Sequence, residues 1–523
     1  MLRGVYIFTL FLIIVLLFFW PSNMETVNIG LIPLDSRPAN TQYPQILASM
    51  SNVNIEIPWV FLDDYLKPSS QEFLWGWLRS KIEEFDMVII NTNQLFNGGL
   101  IASREPDSYE NIEKKLEMLE DFCREHSEKK IIVITVLPRL LPSQFTELWN
   151  YQDDLVSYAQ EVDKSALLGI EPPLPPATVP EEILQDYLNI YKSAQLITEK
   201  LIFLTKRGLI DELLIGQDDA QEYGLSNKIV REIRPYLNEH IHFVHGADEL
   251  TMLVLARNII AETLPAIEIK YANENNKGYY PFEAEKLEDV LLAKMNYINI
   301  PLKENGERDR IPKNTHFIYN DPEKIDVSQE FLTTNNDRLF SSPDIDYLGI
   351  EDIAFTNKGD TRLYEIFLDK ELNRKIHGYA GWNTASNTIG TELAHYAFYQ
   401  YLQKNLGKYS KEDQEKALQS YVEFKFIRVA EDLLYQGILR DKLNEELKAR
   451  NIDPTNLGER KNEAEKILQG LYEEYRGELE EAFKGEYIIG KFRFKVENIS
   501  SRMELPWGRT FEAKVLVNVE ISG

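Results

Sequence analysis

Asp218 and Asp219 stand side by side in "GQDDAQEYG", directly after the apolar run "ELLIG". Two carboxylates at the end of a buried strand repel one another and lose solvation, so a metal, a basic partner, a substrate or a solvated turn must compensate them. Proton transfer and metal ligation are the chemistries open to such a pair. Similar polar groups recur elsewhere. "LDSRPAN" carries Asp35, Arg37 and Asn40, and "NTNQLFNGGLIASR" carries Asn93, Asn97 and Arg104 around a Gly98-Gly99 turn. "LPRLLPSQ" supplies Arg139, and "HGADELTMLVLAR" supplies His245, Asp248 and Glu249. "GYAGWNTASNTIG" adds Trp382, Asn383 and Asn387, neutral amides beside an aromatic ring, which suit sugar hydroxyls.

Each group also has a purely structural reading. Asp248 and Glu249 are suited to opening a helix, as N-cap and as an acid at its positive end. "NGG" is a turn signal in itself. Arg37 could simply pair with Asp35 in a loop.

Stepping along the chain, apolar runs alternate with amphipathic stretches. The expected strands are "VNIGLIPL", "NVNIEIP", "MVIINTN", "KIIVITVLP", "ELLIGQ", "IHFVH", "AIEIKYA" and "HFIYN". Continuous apolar strands separated by helical patterns indicate a parallel sheet covered on both faces. Eight such units predict an α/β fold with a (β/α)8-like barrel over residues 24–398; an open doubly wound parallel sheet is the alternative. Residues 140–207, with the proline-rich "GIEPPLPPATVPEEI", read as an insertion. Residues 399–485 read as a helical subdomain and 486–523 as a small β element. The polar groups fall just past the expected strand ends, the face on which parallel α/β folds build their sites.

Charge and cysteine content narrow the function classes. Lys and Arg number 57 against 84 Asp and Glu, a net charge of −27 that disfavours nucleic acid. The single cysteine, Cys123, excludes an internal disulfide and cysteine-cluster metal sites. At the N-terminus one basic residue, Arg3, precedes an unbroken apolar run from residue 5 to residue 20. That run predicts a membrane anchor, or a cleaved signal, with the body outside the cytoplasmic membrane.

The motifs "PLDSRPAN", "NGGLIASR", "GQDDAQEYG", "HGADELTMLVLAR", "YAGWNTASNTIGTELA" and "PWGRTFE" resemble those of the bacterial domain of unknown function family 4127. That resemblance implies no activity. A more distant, motif-scale similarity is to barrel hexosaminidases that use substrate assistance. They share an Asp-Asp pair ending a core strand, a Gly/Arg/Pro loop after the first strand, and a late Asn-containing segment entering a helix. Here "DSRPAN", "GQDDAQ" and "GWNTASNT" occur in that order, without the aromatic form of that family's first loop.

The leading expectation is therefore a glycoside hydrolase acting on an amino or N-acetylated sugar, with no cofactor and no metal. Asp218 would orient the acetamido group and Asp219 would act as general acid and then base. Asn383 and Asn387 would hold hydroxyls, and Arg37 or Arg104 would meet an acidic substituent. Asp35, Asn97, Arg139, Asp248, Glu249 and Trp382 complete the expected substrate site. The first alternative is a hydrolase whose metal is held by Asp218, Asp219, His245, Asp248 and Glu249. The second is a surface protein that binds carbohydrate without catalysis.

Overall fold

The computed structural model describes residues 26–260, 262–303, 314–324 and 346–523. All eight expected strands form: β1 (Val27–Ile32), β2 (Val53–Glu56), β3 (Met87–Asn91), β4 (Lys130–Leu137), β5 (Glu212–Gln217), β6 (Ile241–Phe243), β7 (Glu268–Tyr271) and β8 (Asn314–Tyr319). Two further strands follow, β9 (Tyr347–Asp352) and β10 (Gly378–Ala380). All ten pair in parallel, but as two sheets, of order β2-β1-β3-β4-β5-β6 and β10-β9-β8-β7. The α/β class holds, whereas among the described residues no sheet closes into the expected eight-stranded barrel.

The edges explain why the sheets do not join. β6 has only three residues, two of them half-buried, and all four residues of β7 are half-buried. Short, partly exposed strands such as these are sheet edges. β3 and β4 are apolar almost throughout and lie in the interior.

Both faces of the six-stranded sheet are covered. Ile29, Leu31, Ile132, Ile134 and Leu214 face a core containing the helices Gln42–Ser49 and Leu250–Ile259 and buried residues of the second sheet and the C-terminal helices. Ile32, Val88, Ile90, Val133 and Ile215 face the other core, with the helices Gln71–Lys81, Tyr109–Glu125 and Glu181–Lys206. Tyr109–Glu125 shows how sequence sets this layer. Ser108 caps it by accepting a hydrogen bond from the Asn111 amide (3.2 Å). Ile112, Leu116, Leu119 and Phe122, spaced by three and four, form its buried stripe.

Between β4 and β5 lie two helices, Gln152–Leu168 and Glu181–Lys206. The second is the crossover itself, packed on β4 and β5. After β10 the long helix Ala385–Asn405 leads to the helices Lys411–Arg428, Arg440–Ala449 and Lys461–Ala482. An antiparallel sheet of β11 (Gly485–Ile489), β12 (Phe492–Glu504) and β13 (Lys514–Ser522) closes the chain. Helix Lys461–Ala482 covers β12 and helix Lys411–Arg428 covers β13.

The membrane placement needs correction. Among the described residues no helix is long and apolar enough to cross a membrane. The apolar run from residue 5 to residue 20, on which that expectation rested, lies outside the described residues.

Candidate functional site

Arg37 organises the loops beyond the first sheet. Its guanidinium donates to Asp35 Oδ2 through Nε (2.9 Å) and Nη2 (2.7 Å), and through Nη2 to Asp248 Oδ1 (2.5 Å). Asn40 bridges the same two carboxylates at 3.1 Å each. The amide of Asn383 donates to Asp248 Oδ2 at 3.0 Å. Loops after β1, β6 and β10 are thus tied through one buried arginine. Bidentate geometry favours Arg over Lys in such a place.

The aspartate pair sits beside this network. Asp218 closes β5, its amide donating to Leu137 O at the end of β4 (3.1 Å). Arg104 reaches Asp218 Oδ2 at 2.7 Å. Burial works to raise Asp218, but the charges of Arg104 and Arg139 hold it below the usual carboxylate value. Asp219 engages its neighbours through its backbone: the amide donates to Asp218 Oδ1 (2.9 Å) and the carbonyl accepts from the Leu140 amide (3.0 Å). Burial and the adjacent Asp218 charge push its carboxyl up to about 7. Two neighbouring acids are therefore driven apart, one ionised and one able to hold a proton near neutrality.

Both aspartates line a cavity of about 500 Å³ together with Arg37, Arg104, Arg139, Asp248 and Asn383. Arg139 is set by its loop: Nε donates to Leu141 O (2.9 Å) and Nη2 to Pro142 O (3.1 Å), while Tyr191 donates to Arg139 O (2.8 Å). Burial and the Arg104 charge lower the Arg139 guanidinium to about 10, so it remains cationic at neutral pH.

One wall of the cavity escaped the sequence reading. Tyr65, Phe145, Trp507 and Phe511 provide aromatic faces, and Arg440 and Arg509 provide further cations. Tyr65 stacks on Trp507 with centroids 5.6 Å apart, and Arg37 lies 5.0 Å over the Trp507 ring. Trp507 Nε1 donates to Ser36 Oγ at 2.7 Å. Tyr65, Asn383 and Trp507 all have left-handed backbone, with φ of 57°, 72° and 58°. Bulky aromatics rarely adopt that region, and such strain concentrates at functional sites. "PWGRTFE" carried the signal, a Trp-Gly-Arg turn between two alternating strands, but nothing in the sequence shows that the C-terminal sheet turns toward β1.

A family described as protein of unknown function (DUF4127) matches residues 29–516. The chain belongs to this family. No curated protein matches it.

Other residues expected at the substrate site of this family member lie behind the cavity. Asp35 is fully buried under Arg37. Glu249 is fully buried and paired with Lys294, whose ammonium also donates to His245 O (2.5 Å). Burial costs an ion several kcal/mol, roughly, unless it is paired, and Lys294 is the partner that the sequence did not reveal. Asn97 lines a separate small cavity behind Arg104. Its Gly98-Gly99 turn is steric in origin: φ is +93° and +124°, and a Cβ at Gly98 would lie 2.6 Å from Pro68 Cβ. Trp382 is buried, edge-on to Phe511 at 6.2 Å. Asn387 accepts from the Ala247 and Asp248 amides, both at 3.4 Å. The five residues considered as metal ligands do not converge. Asp248 is engaged by Arg37 and Asn40, Glu249 by Lys294, and His245 Nε2 lies 3.4 Å from Glu285.

Proposed function

We propose that the chain is a glycoside hydrolase acting on an amino or N-acetylated sugar, with Asp219 as general acid and base and Asp218 as its ionised partner. One observation carries this reading: adjacent carboxylates, one held ionised by Arg104 and the other raised to about 7, line the same aromatic-walled cavity. A general acid works best with a pKa near the operating pH, and pairs whose pKa values are pushed apart divide the acid and base roles.

In the first step Asp219 donates its proton to the glycosidic oxygen as the acetamido oxygen attacks the anomeric carbon and the glycosidic bond breaks. The Asp218 carboxylate accepts the acetamido N–H and stabilises the positive charge of the cyclic oxazolinium. In the second step the Asp219 carboxylate takes a proton from water, the hydroxyl adds to the anomeric carbon, and the acetamido group is restored. Substrate assistance of this kind needs no second flanking nucleophile. Phe145, exposed at the wall beside Tyr65, supplies a ring for the sugar, and Asn383 an amide next to Asp248. Two alternatives remain distinguishable by experiment: a metal-dependent hydrolase and a non-catalytic carbohydrate-binding protein.

A panel of aryl N-acetylhexosaminides and cell-wall fragments tests the proposal. Hydrolysis by the wild type, reduced about 10² to 10⁴-fold on the cell-wall fragments in Asp219→Asn and unaffected by EDTA within the assay time, is the expected result. Immediate loss of hydrolysis in EDTA while the fold persists would favour the metal reading. Sugar binding without turnover, unchanged in Asp219→Asn, would favour the binding protein.

A further inference from the structure

The second parallel sheet carries a buried polar cluster that the cavity does not use. In register, His316 on β8 faces Gly349 on β9, and Gly349 faces Gly378 on β10. A Cβ at either glycine would collide with Glu392 Oε1. The two glycines therefore open the space in which the Glu392 carboxylate, carried by helix Ala385–Asn405, lies beside His316. Glu351 is two residues beyond Gly349, so it shares that face of the sheet. Its Oε1 is 2.5 Å from His316 Nδ1. Tyr347, two residues before Gly349, donates to Glu392 Oε1 at 2.5 Å, and His395 Nδ1 lies 3.6 Å from Glu392 Oε2.

None of these four acid and imidazole side chains is more than 1% exposed. Carboxylates are costly to desolvate, and apolar residues would fill the same layer more favourably unless the charges have a purpose. Yet His316 Nε2, Glu351 Oε2, Glu392 Oε2 and His395 Nε2 have no hydrogen-bond partner. Buried polar atoms in native proteins are nearly always satisfied, so the orphans on His316, Glu351 and Glu392 point to a missing bonding partner. Ligand atoms of His316, Glu351 and Glu392 all lie within 4.8 Å of one another. Donors on a tetrahedral zinc ion are about 3.4 Å apart, a spacing that small side-chain adjustments would reach.

We propose that His316, Glu351 and Glu392 form a buried divalent transition-metal site of a kind that zinc fits. Imidazole nitrogens mixed with carboxylates fit zinc, manganese or iron, while calcium and magnesium prefer oxygen alone. With no solvent-exposed position the site is structural in type. The metal would fasten helix Ala385–Asn405 to the second sheet. The first turn of that helix carries Asn387, which accepts from the Asp248 amide, so the metal would stiffen the cavity wall without taking part in its chemistry.

Elemental analysis of the full-length purified chain tests the site directly. The expected result is equimolar zinc, or a metal that exchanges with zinc, and its loss in Glu392→Gln and in His316→Gln. If these variants fail to fold, wild type reconstituted with Co2+ still decides the matter. A visible absorption band of cobalt bound to nitrogen and oxygen ligands, with a higher unfolding temperature than the stripped protein, supports the site. Metal-free wild type whose unfolding temperature does not respond to zinc or cobalt would overturn it, and would make the cluster a proton-sharing network.

Discussion

Arg37 and Asp248 form a 2.5 Å ion pair although the strands that precede them, β1 and β6, lie four places apart in the sheet. At about 4.8 Å per strand that is roughly 19 Å across the sheet. The helices that follow the two strands, Gln42–Ser49 and Leu250–Ile259, pack against each other on the same face. Their leading loops therefore converge, and the open sheet acquires a closed rim on one side.

Removing this link should be expensive. Arg37→Ala would leave Asp35 and Asp248 buried without their cation, and loss of one member of a buried pair typically costs about 3–5 kcal/mol. Arg37→Lys keeps the charge but cannot bridge both carboxylates, so it should fall between the two. Urea unfolding measures the difference. A loss under about 1 kcal/mol in Arg37→Ala, within the usual range of a surface substitution, would mean that the rim is held by other contacts.

Much of this arrangement was legible in the sequence, for a physical reason. Short continuous apolar runs rich in β-branched residues, such as "KIIVITVL", fit buried strands, and the polar residues that end them fall on one face of a parallel sheet. Asp218, Asp219, Arg37, Arg104, Arg139, Asp248 and Asn383 accordingly line one cavity. Closure is another matter. Whether eight strands make a barrel or two sheets depends on whether β6 pairs with β7, and three residues in one and four in the other carry almost no pairing signal. The roles of Glu249 and Trp507 were illegible for a similar reason. Each depends on a partner remote in sequence, Lys294 for the first and Ser36 for the second.

Asp219 should make stability depend on pH. An unfolded Asp ionises near about 3.9, whereas the folded Asp219 holds its proton up to about 7. A raised folded pKa gives stability that is fully present below the unfolded value and lost as pH rises through the folded one. Asp219→Asn removes that loss. Urea midpoints of variant and wild type should be close at pH 4, with the variant the more stable at pH 8. Identical midpoints at both pH values would show that Asp219 is not held protonated.

Phe145 separates binding from folding. Its ring is 43% exposed at the cavity wall and stands edge-on to Tyr65 at 5.6 Å. Phe145→Ala should leave stability within about 0.5 kcal/mol, as for a surface position. If the ring holds the sugar, KM should rise by up to about tenfold, a difference of about 1.4 kcal/mol. An unchanged KM would remove Phe145 from the substrate path.

The acid–base roles of the pair set the pH profile of hydrolysis. With Asp219 protonated and Asp218 ionised as the active form, kcat/KM should fall as pH rises through about 7 and hold at acid pH until Asp218 is protonated. Arg104→Gln removes the nearer of the two charges that keep Asp218 ionised, leaving Arg139, so the acid limb should move to higher pH. An acid limb unmoved in that variant would detach Asp218 from catalysis.

The most direct measurement is the dependence of Asp219→Asn on the leaving group. A general acid matters only where the departing oxygen needs a proton, so a 2,4-dinitrophenyl N-acetylhexosaminide bypasses it and an alkyl or sugar leaving group does not. The variant should lose about 10² to 10⁴ in kcat/KM on the alkyl and sugar substrates, the usual contribution of a general acid, and retain near wild-type rates on the dinitrophenyl substrate. An equal loss on both substrates, or no loss on either, would contradict the assignment of Asp219 as the proton donor.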